Sequence, residues 1–265
     1  MARVNLKSFG VLLDVEVHDE SLQPAVDLLL PPGWEPSEEF AEDGHFTLTG
    51  ERDGEYTVLV DGEPASSRVD ADVALHVLDA QMRLRIGVRA RDRVFVHAGV
   101  VAVDGRALLL PGQTFAGKST LVAALVAEGA TYYSDEYAVL DELGCVHPYA
   151  RRLSIRGADR GWGERWPVED LGGVAGTGPA RPAVIAITAY GPGVRWQPQR
   201  RAAALGALAL LTNAFVPTER PEASLRAVTR AATNALVLEG KRGEAAEAAA
   251  SLICALREAA AGQVD

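Results

Sequence analysis

The chain has 265 residues, 48% hydrophobic and 23% charged, a composition that supports a buried core and excludes wholesale disorder. Its 26 basic and 36 acidic residues leave a net charge of −10, which argues against nucleic acid as a partner, because phosphate contacts need clustered positive charge. Two cysteines, Cys145 and Cys254, are too few for a disulfide framework; no apolar run reaches membrane-helix length, and the first residues lack a signal-peptide core, so a cytoplasmic protein with no membrane partner is expected.

In chain order, residues 10–17 alternate at their end as a half-buried strand should, with Leu13, Val15 and Val17 against Asp14 and Glu16. Residues 21–30 suit a short helix stopped by Pro31-Pro32-Gly33, and 46–49 and 56–60 read as strands closed by Asp61-Gly62. Asp70 or Asp72 can cap a helix running to about 91, and the arginines clustered at its end (Arg83, Arg85, Arg89, Arg91 and Arg93) suit a solvated helix end better than a binding patch. Residues 1–92 are therefore expected to form a small N-terminal α+β domain, and 93–265 a second domain.

The most strand-like segment of the chain is 94–103, turned by Asp104-Gly105 into a second strand, 106–110. A helix to 128 is ended by Gly129, strands follow at 131–133 and 137–140, and 157–181 reads as a long irregular loop or lid. A buried strand is expected at 184–189 and alanine-rich helices at about 202–214, 223–235 and 243–261.

Between the second strand and its helix lies Gly112-Gln113-Thr114-Phe115-Ala116-Gly117-Lys118-Ser119-Thr120, which contains the complete P-loop pattern of two glycines, lysine and serine. Glycine lets consecutive backbone N–H groups approach an anion with no Cβ in the way, and the helix start adds unpaired donors and its positive dipole end. Lys118 is placed to reach the β- and γ-phosphates of ATP and Ser119 to ligate Mg²⁺, so residues 112–120 are expected to bind nucleotide. Only three lysines occur, and one of them sits here.

A P-loop metal site needs a carboxylate near its serine. Asp135 lies 17 residues after Lys118, across one helix, a reversal and a short strand, and Glu136 adjoins it. On an extended backbone the two carboxylates face opposite ways, so one can face the metal and the other elsewhere. By spacing alone His97 reads as a core residue of an apolar strand. Arg151, Arg152 and Arg156 suit phosphate holding and surface salt bridges equally.

Val96-His97-Ala98-Gly99-Val100-Val101, the Asp104-Gly105 hairpin, the P-loop and Ser134-Asp135-Glu136 together resemble the HPr serine kinase/phosphorylase family, whose P-loop fold is akin to that of phosphoenolpyruvate carboxykinase. The likeness continues through residues 148–156. It implies an α/β P-loop kinase core of the HPr kinase/PEP carboxykinase type behind the small α+β domain, and an ATP- and Mg²⁺-dependent serine kinase. The implied roles are Asp135 as general base, His97 beside it as its tuner, Lys118 on the phosphates, and Glu136 with Ser119 at the metal.

Three positions depart from the family pattern. Glu136 stands for the usual Asp, Thr120 follows the P-loop serine where the bifunctional enzymes carry Glu, and Ser154-Ile155-Arg156-Gly157 lacks the first carboxylate of the Glu-Ile-Arg-Gly signature. What remains implied is phosphorylation of a hydroxyl, on a Ser of a peptide or protein such as a peptide natural-product precursor. A small-molecule hydroxyl kinase and a nucleotide-binding regulator without chemistry are the alternatives, and self-association is left open.

Overall fold

Alternating burial and tight turns set the elements of the N-terminal unit. The computed structural model describes residues 1–50, 54–112, 117–155, 164–215 and 218–261. The chain divides at Met1–Asp92 and Arg93–Asp265. In the first unit β1 (Ala2–Ser8) turns into β2 (Val11–Val17) through Phe9 and Gly10, both left-handed. There follow α1 (Gln23–Asp27), β3 (Glu35–Pro36), β4 (Gly44–Gly50), β5 (Tyr56–Val60), β6 (Glu63–Val69) and α2 (Ala71–Arg89).

Those strands form one mixed sheet in the order β3-β1-β2-β4-β5-β6, with β2 and β4 parallel. Asp70 caps α2 by accepting the Val73 N–H at 2.9 Å, and Ala74, Leu78, Met82 and Ile86 of its buried stripe pack over β4, β5 and β6. The arginines at the end of α2 differ from a merely solvated terminus. Arg85 donates to Asp61 at 2.6 Å and to the Asp43 carbonyl at 2.5 Å, and Arg83 meets buried Asp79 at 3.4 Å. The edge strand β6 escaped sequence reading because it is largely exposed and so has no alternation to read.

The second unit is built around the expected hairpin. β7 (Val94–Val103) turns through Asp104 and Gly105 into β8 (Arg106–Pro111), followed by α3 (Lys118–Ala127), β9 (Thr131–Ser134), β10 (Tyr137–Leu140) and β11 (Val146–His147). Then come β12 (Leu153–Ile155), β13 (Glu164–Trp166), β14 (Arg181–Tyr190), β15 (Gln199–Arg201), α4 (Ala203–Leu211), α5 (Pro221–Thr233), β16 (Leu236–Arg242) and α6 (Ala245–Ala261).

The main sheet of this unit runs β11-β10-β7-β8-β14-β16-β15, with β9 also paired to β7. Its centre, β8-β14-β16, is parallel and its flanks are antiparallel, so this sheet is mixed as well. Strand alternation sorts the side chains into two cores. Val101, Leu108 and Leu110 face Leu121, Val122 and Leu125 of α3 and Leu252 and Leu256 of α6. Val100, Ala107 and Leu109 face Leu210 of α4 and Val228 and Ala231 of α5. The result is a helix–sheet–helix sandwich with both faces of the parallel strands covered, as parallel sheets require.

Two expectations need correction. The stretch between the last two helices is the parallel strand β16, which sequence reading left unassigned because its second half, Glu-Gly-Lys-Arg, is polar. The segment 157–181 is irregular only in part. From 164 on, it holds β13 paired to β12, a short 3₁₀ turn with Val168 buried, and bridges joining Ala175 to Tyr132 and Ala180 to Val146. That part is anchored to the domain, and 157–163 lie outside the described residues. Among the described residues, no helix is long and apolar enough to cross a membrane.

Candidate active site

The site assembles around β7, the strand shared by two sets of neighbours. On one side Ala98 is in register with Pro111, and the Gly112 N–H donates to the His97 carbonyl at 3.2 Å, so the end of β8 delivers the P-loop beside His97. On the other side Tyr137 is in register with His97, and the Ala98 N–H donates to the Glu136 carbonyl at 3.1 Å. One strand residue thus has the start of the P-loop on one hand and the acidic pair on the other.

The acidic pair sits at the turn between β9 and β10. Buried Ser134 fixes that turn by accepting the N–H groups of Glu136 at 3.0 Å and Tyr137 at 2.8 Å. Edge-on contacts of Tyr137 with Phe95 (5.7 Å) and Phe215 (4.9 Å) hold β10 from behind. The helix carrying Lys118 and Ser119 comes close to β7 because Gly99 has no side chain; a Cβ there would lie 2.7 Å from Val122 Cγ2.

Gly117 opens α3 in the left-handed conformation, φ 75°, which glycine adopts without strain. Lys118 is buried to 9% exposure and donates from Nζ to the Gly112 carbonyl at 2.9 Å, joining the two ends of the P-loop. Thr120 is exposed. The expected loop residues 113–116 lie outside the described residues. Ser119 Oγ donates to Asp135 Oδ2 at 2.8 Å, and the Tyr132 hydroxyl donates to Asp135 Oδ1 at 2.9 Å.

Both Asp135 oxygens therefore carry a hydroxyl, and the residue is only 7% exposed. Burial pushes its carboxyl above the ordinary aspartate range, and the neighbouring Glu136 charge adds to this. The Ser119 and Tyr132 hydrogen bonds and the Arg151 charge act against it. Burial, together with Asp135, holds the Tyr132 phenol well above its usual value, so it remains a donor.

Glu136 is differently placed. His97 Nε2 lies 3.7 Å from Glu136 Oε1, and the two side chains are 20% and 29% exposed. The structure thus pairs Ser119 with Asp135 and His97 with Glu136. His147 is occupied elsewhere, 2.9 Å from Asp141.

Two residues that sequence reasoning did not single out belong here. Tyr132 is one of two adjacent tyrosines in β9, and strand alternation turns it towards α3 and Asp135. Arg242 closes β16. It is 3% exposed and donates from Nη2 to the Gly117 carbonyl at 2.9 Å. The available signal for it was its place at the carboxyl end of a parallel strand, where open α/β sheets gather their ligands.

The residues present fit nucleotide and Mg²⁺. Buried cations and a helix N-terminus suit phosphate, and the Ser119 hydroxyl with the Asp135 carboxylate forms a hard oxygen pair. Among the described residues no cluster of three or more His, Cys, Asp or Glu is arranged to hold a metal. Mg²⁺ commonly uses one or two protein oxygens and completes its shell with water and substrate phosphates.

No protein-family model matches the chain, and no curated protein matches it by sequence. Among solved structures the chain is similar to the HPr(Ser) kinase/phosphatase from Coxiella burnetii, at 19% identity and a TM-score of 0.27, over 40% of this chain and 75% of that one.

Proposed function

We propose that the protein is a P-loop phosphotransferase that moves the γ-phosphoryl group of ATP to a hydroxyl, on a Ser of a peptide or protein. The observation that carries this reading is the contact of the P-loop serine with a buried carboxylate, Ser119 Oγ to Asp135 Oδ2 at 2.8 Å, beside the buried Lys118. P-loop enzymes use such a serine–aspartate pair to hold Mg²⁺, which when bound would neutralise charge developing on the phosphates. Ser119 and Asp135 would hold the ion, and Lys118 would meet the phosphates.

The resemblance implies Asp135 as the base and Glu136 at the metal; we propose the reverse division. Asp135 is nearly sealed and both its oxygens are engaged, whereas Glu136 is accessible to an acceptor and has His97 beside it. Glu136 would take the proton from the acceptor hydroxyl as its oxygen bonds phosphorus and the bond to the bridging oxygen breaks, releasing ADP. His97 would orient Glu136.

Calorimetric titration with a non-hydrolysable ATP analogue and Mg²⁺, alongside ADP release with and without candidate serine peptides, tests the reading. Lys118→Ala is expected to abolish both binding and turnover with the fold retained. Unchanged affinity and activity in that variant would overturn it. Binding by the wild-type chain without turnover on any acceptor would leave a nucleotide-binding regulator.

A further inference from the structure

Arg242 is a buried guanidinium in an unusual setting. Its Nη1 donates to the Gly243 carbonyl at 3.1 Å and its Nη2 to the Gly117 carbonyl at 2.9 Å, while its buried Nε has no hydrogen-bond partner. Among the described residues no carboxylate lies within ion-pair distance of it. Glu244 acts on it only at longer range, and the guanidinium stands 5.7 Å from the centre of the Tyr190 ring. Charges taken this far out of water are ordinarily paired with an opposite charge. Here the donors go to backbone carbonyls, and one of those carbonyls belongs to the residue that opens the P-loop helix.

Its position in the sheet follows from register. The parallel strands β14 and β16 end level with each other, about three residues beyond the end of their neighbour β8. β8 runs into Gly112, and Tyr190 at the end of β14 is the partner of Arg242 at the end of β16. Lys118 bonds the carbonyl at the entry of the P-loop and Arg242 the carbonyl at its exit, so two buried cations bracket the same loop. A Cβ on Gly117 would come within 2.5 Å of Arg242 Nη2, so the guanidinium lies directly against the start of the helix.

We infer that Arg242 is the second cation of an anion site at the start of α3, and that its charge is compensated by a bound polyphosphate. The inference rests on the phosphotransferase reading only in taking that polyphosphate to be the chain of a nucleotide. A cation held in place by backbone carbonyls is preorganised: it need not be released from a carboxylate before it meets the ligand. Arginine suits the task, since its fork of donors can bond a carbonyl and an anion together.

The test is thermal unfolding of the wild-type chain, Arg242→Gln and Arg242→Lys, each alone, with inorganic pyrophosphate and with ATP·Mg²⁺. Arg242→Gln keeps a donor for the Gly117 carbonyl and removes the charge. Ligand-free, it is expected to unfold at the same temperature as the wild type or higher, and its affinity for pyrophosphate to fall by about 10- to 100-fold, the worth of a charged hydrogen bond. Arg242→Lys, which keeps the charge, should recover part of that affinity.

A strut that merely props the loop would give the opposite pattern, a less stable Arg242→Gln chain with pyrophosphate affinity retained. That pattern, or an Arg242→Gln chain that fails to fold, overturns the inference. Should the wild type respond to pyrophosphate but not to ATP·Mg²⁺, the kinase reading falls and Arg242 is still judged by its variants. Should it respond to neither, both fall.

Discussion

Replacing Asp135 by Asn separates the two tasks a buried carboxylate can have at this site. Its carboxyl is held above the ordinary range chiefly by burial, so the folded chain holds this proton more tightly than the unfolded chain does. Stability is therefore undiminished below the ordinary aspartate range and is lost as pH rises through the raised value, after which the penalty is constant. Asn has the same size and no charge; its oxygen can accept from one of the two hydroxyls while its NH₂ donates to the other, which turns to accept. The variant should melt above the wild type at pH 7 and level with it at pH 3, with each kcal/mol of relief worth about 2–4 °C in a domain of this size.

The functional consequence of Asp135→Asn runs the other way. Removing one negative oxygen from the Ser119–Asp135 pair should raise the Mg²⁺ concentration for half-maximal ADP release by about 10- to 100-fold, the usual scale for disturbing a metal site. Melting curves across pH and ADP release against Mg²⁺ read the two effects independently. A lower melting temperature at pH 7 would refute the electrostatic account of the buried carboxyl. A fall in kcat of about 10²- to 10⁴-fold at unchanged Mg²⁺ requirement would return the base to Asp135.

Glu136→Gln is expected to lower kcat by about 10²-fold or more with nucleotide affinity retained, and His97→Ala by less, since it acts through Glu136; stopped-time ADP assays with saturating Mg²⁺ measure both. Equal losses from the two would make His97 itself the proton acceptor. Gly99→Ala drives a Cβ to 2.7 Å from Val122 Cγ2 and should cost about 1–3 kcal/mol in urea unfolding, as overpacking does. A cost within error would mean that α3 is free to shift from β7, and should then leave nucleotide affinity unchanged too.

The parts legible in the sequence were those whose signal is local. β7, the Asp104-Gly105 turn, β8 and α3 were read to within a residue or so because alternation, turn glycines and the Gly129 stop all agree within a short stretch. The approach of Asp135 to Ser119 was foreseeable from the single helix and reversal between them. The division of partners was not, because it depends on which carboxylate the Ser134 turn rotates inward. β16 and Arg242 were illegible for a different reason: a short, half-polar strand becomes a strand only by pairing with β14 and β15, far away in sequence.

The contact of Arg242 with Gly117 spans 125 residues, whereas the hydrogen bonds of Lys118 to Gly112 and of Ser119 to Asp135 span 6 and 16. Closing so long a loop carries an entropy cost that the hairpin and its helix do not bear, so the Arg242 side of the site is expected to form later than the Lys118 side. A growing chain presents the lysine and serine of this pocket long before the arginine, and can complete the pocket only once its last strand has entered the sheet. On the proposed reading, tight capture of a polyphosphate would report that the domain is whole.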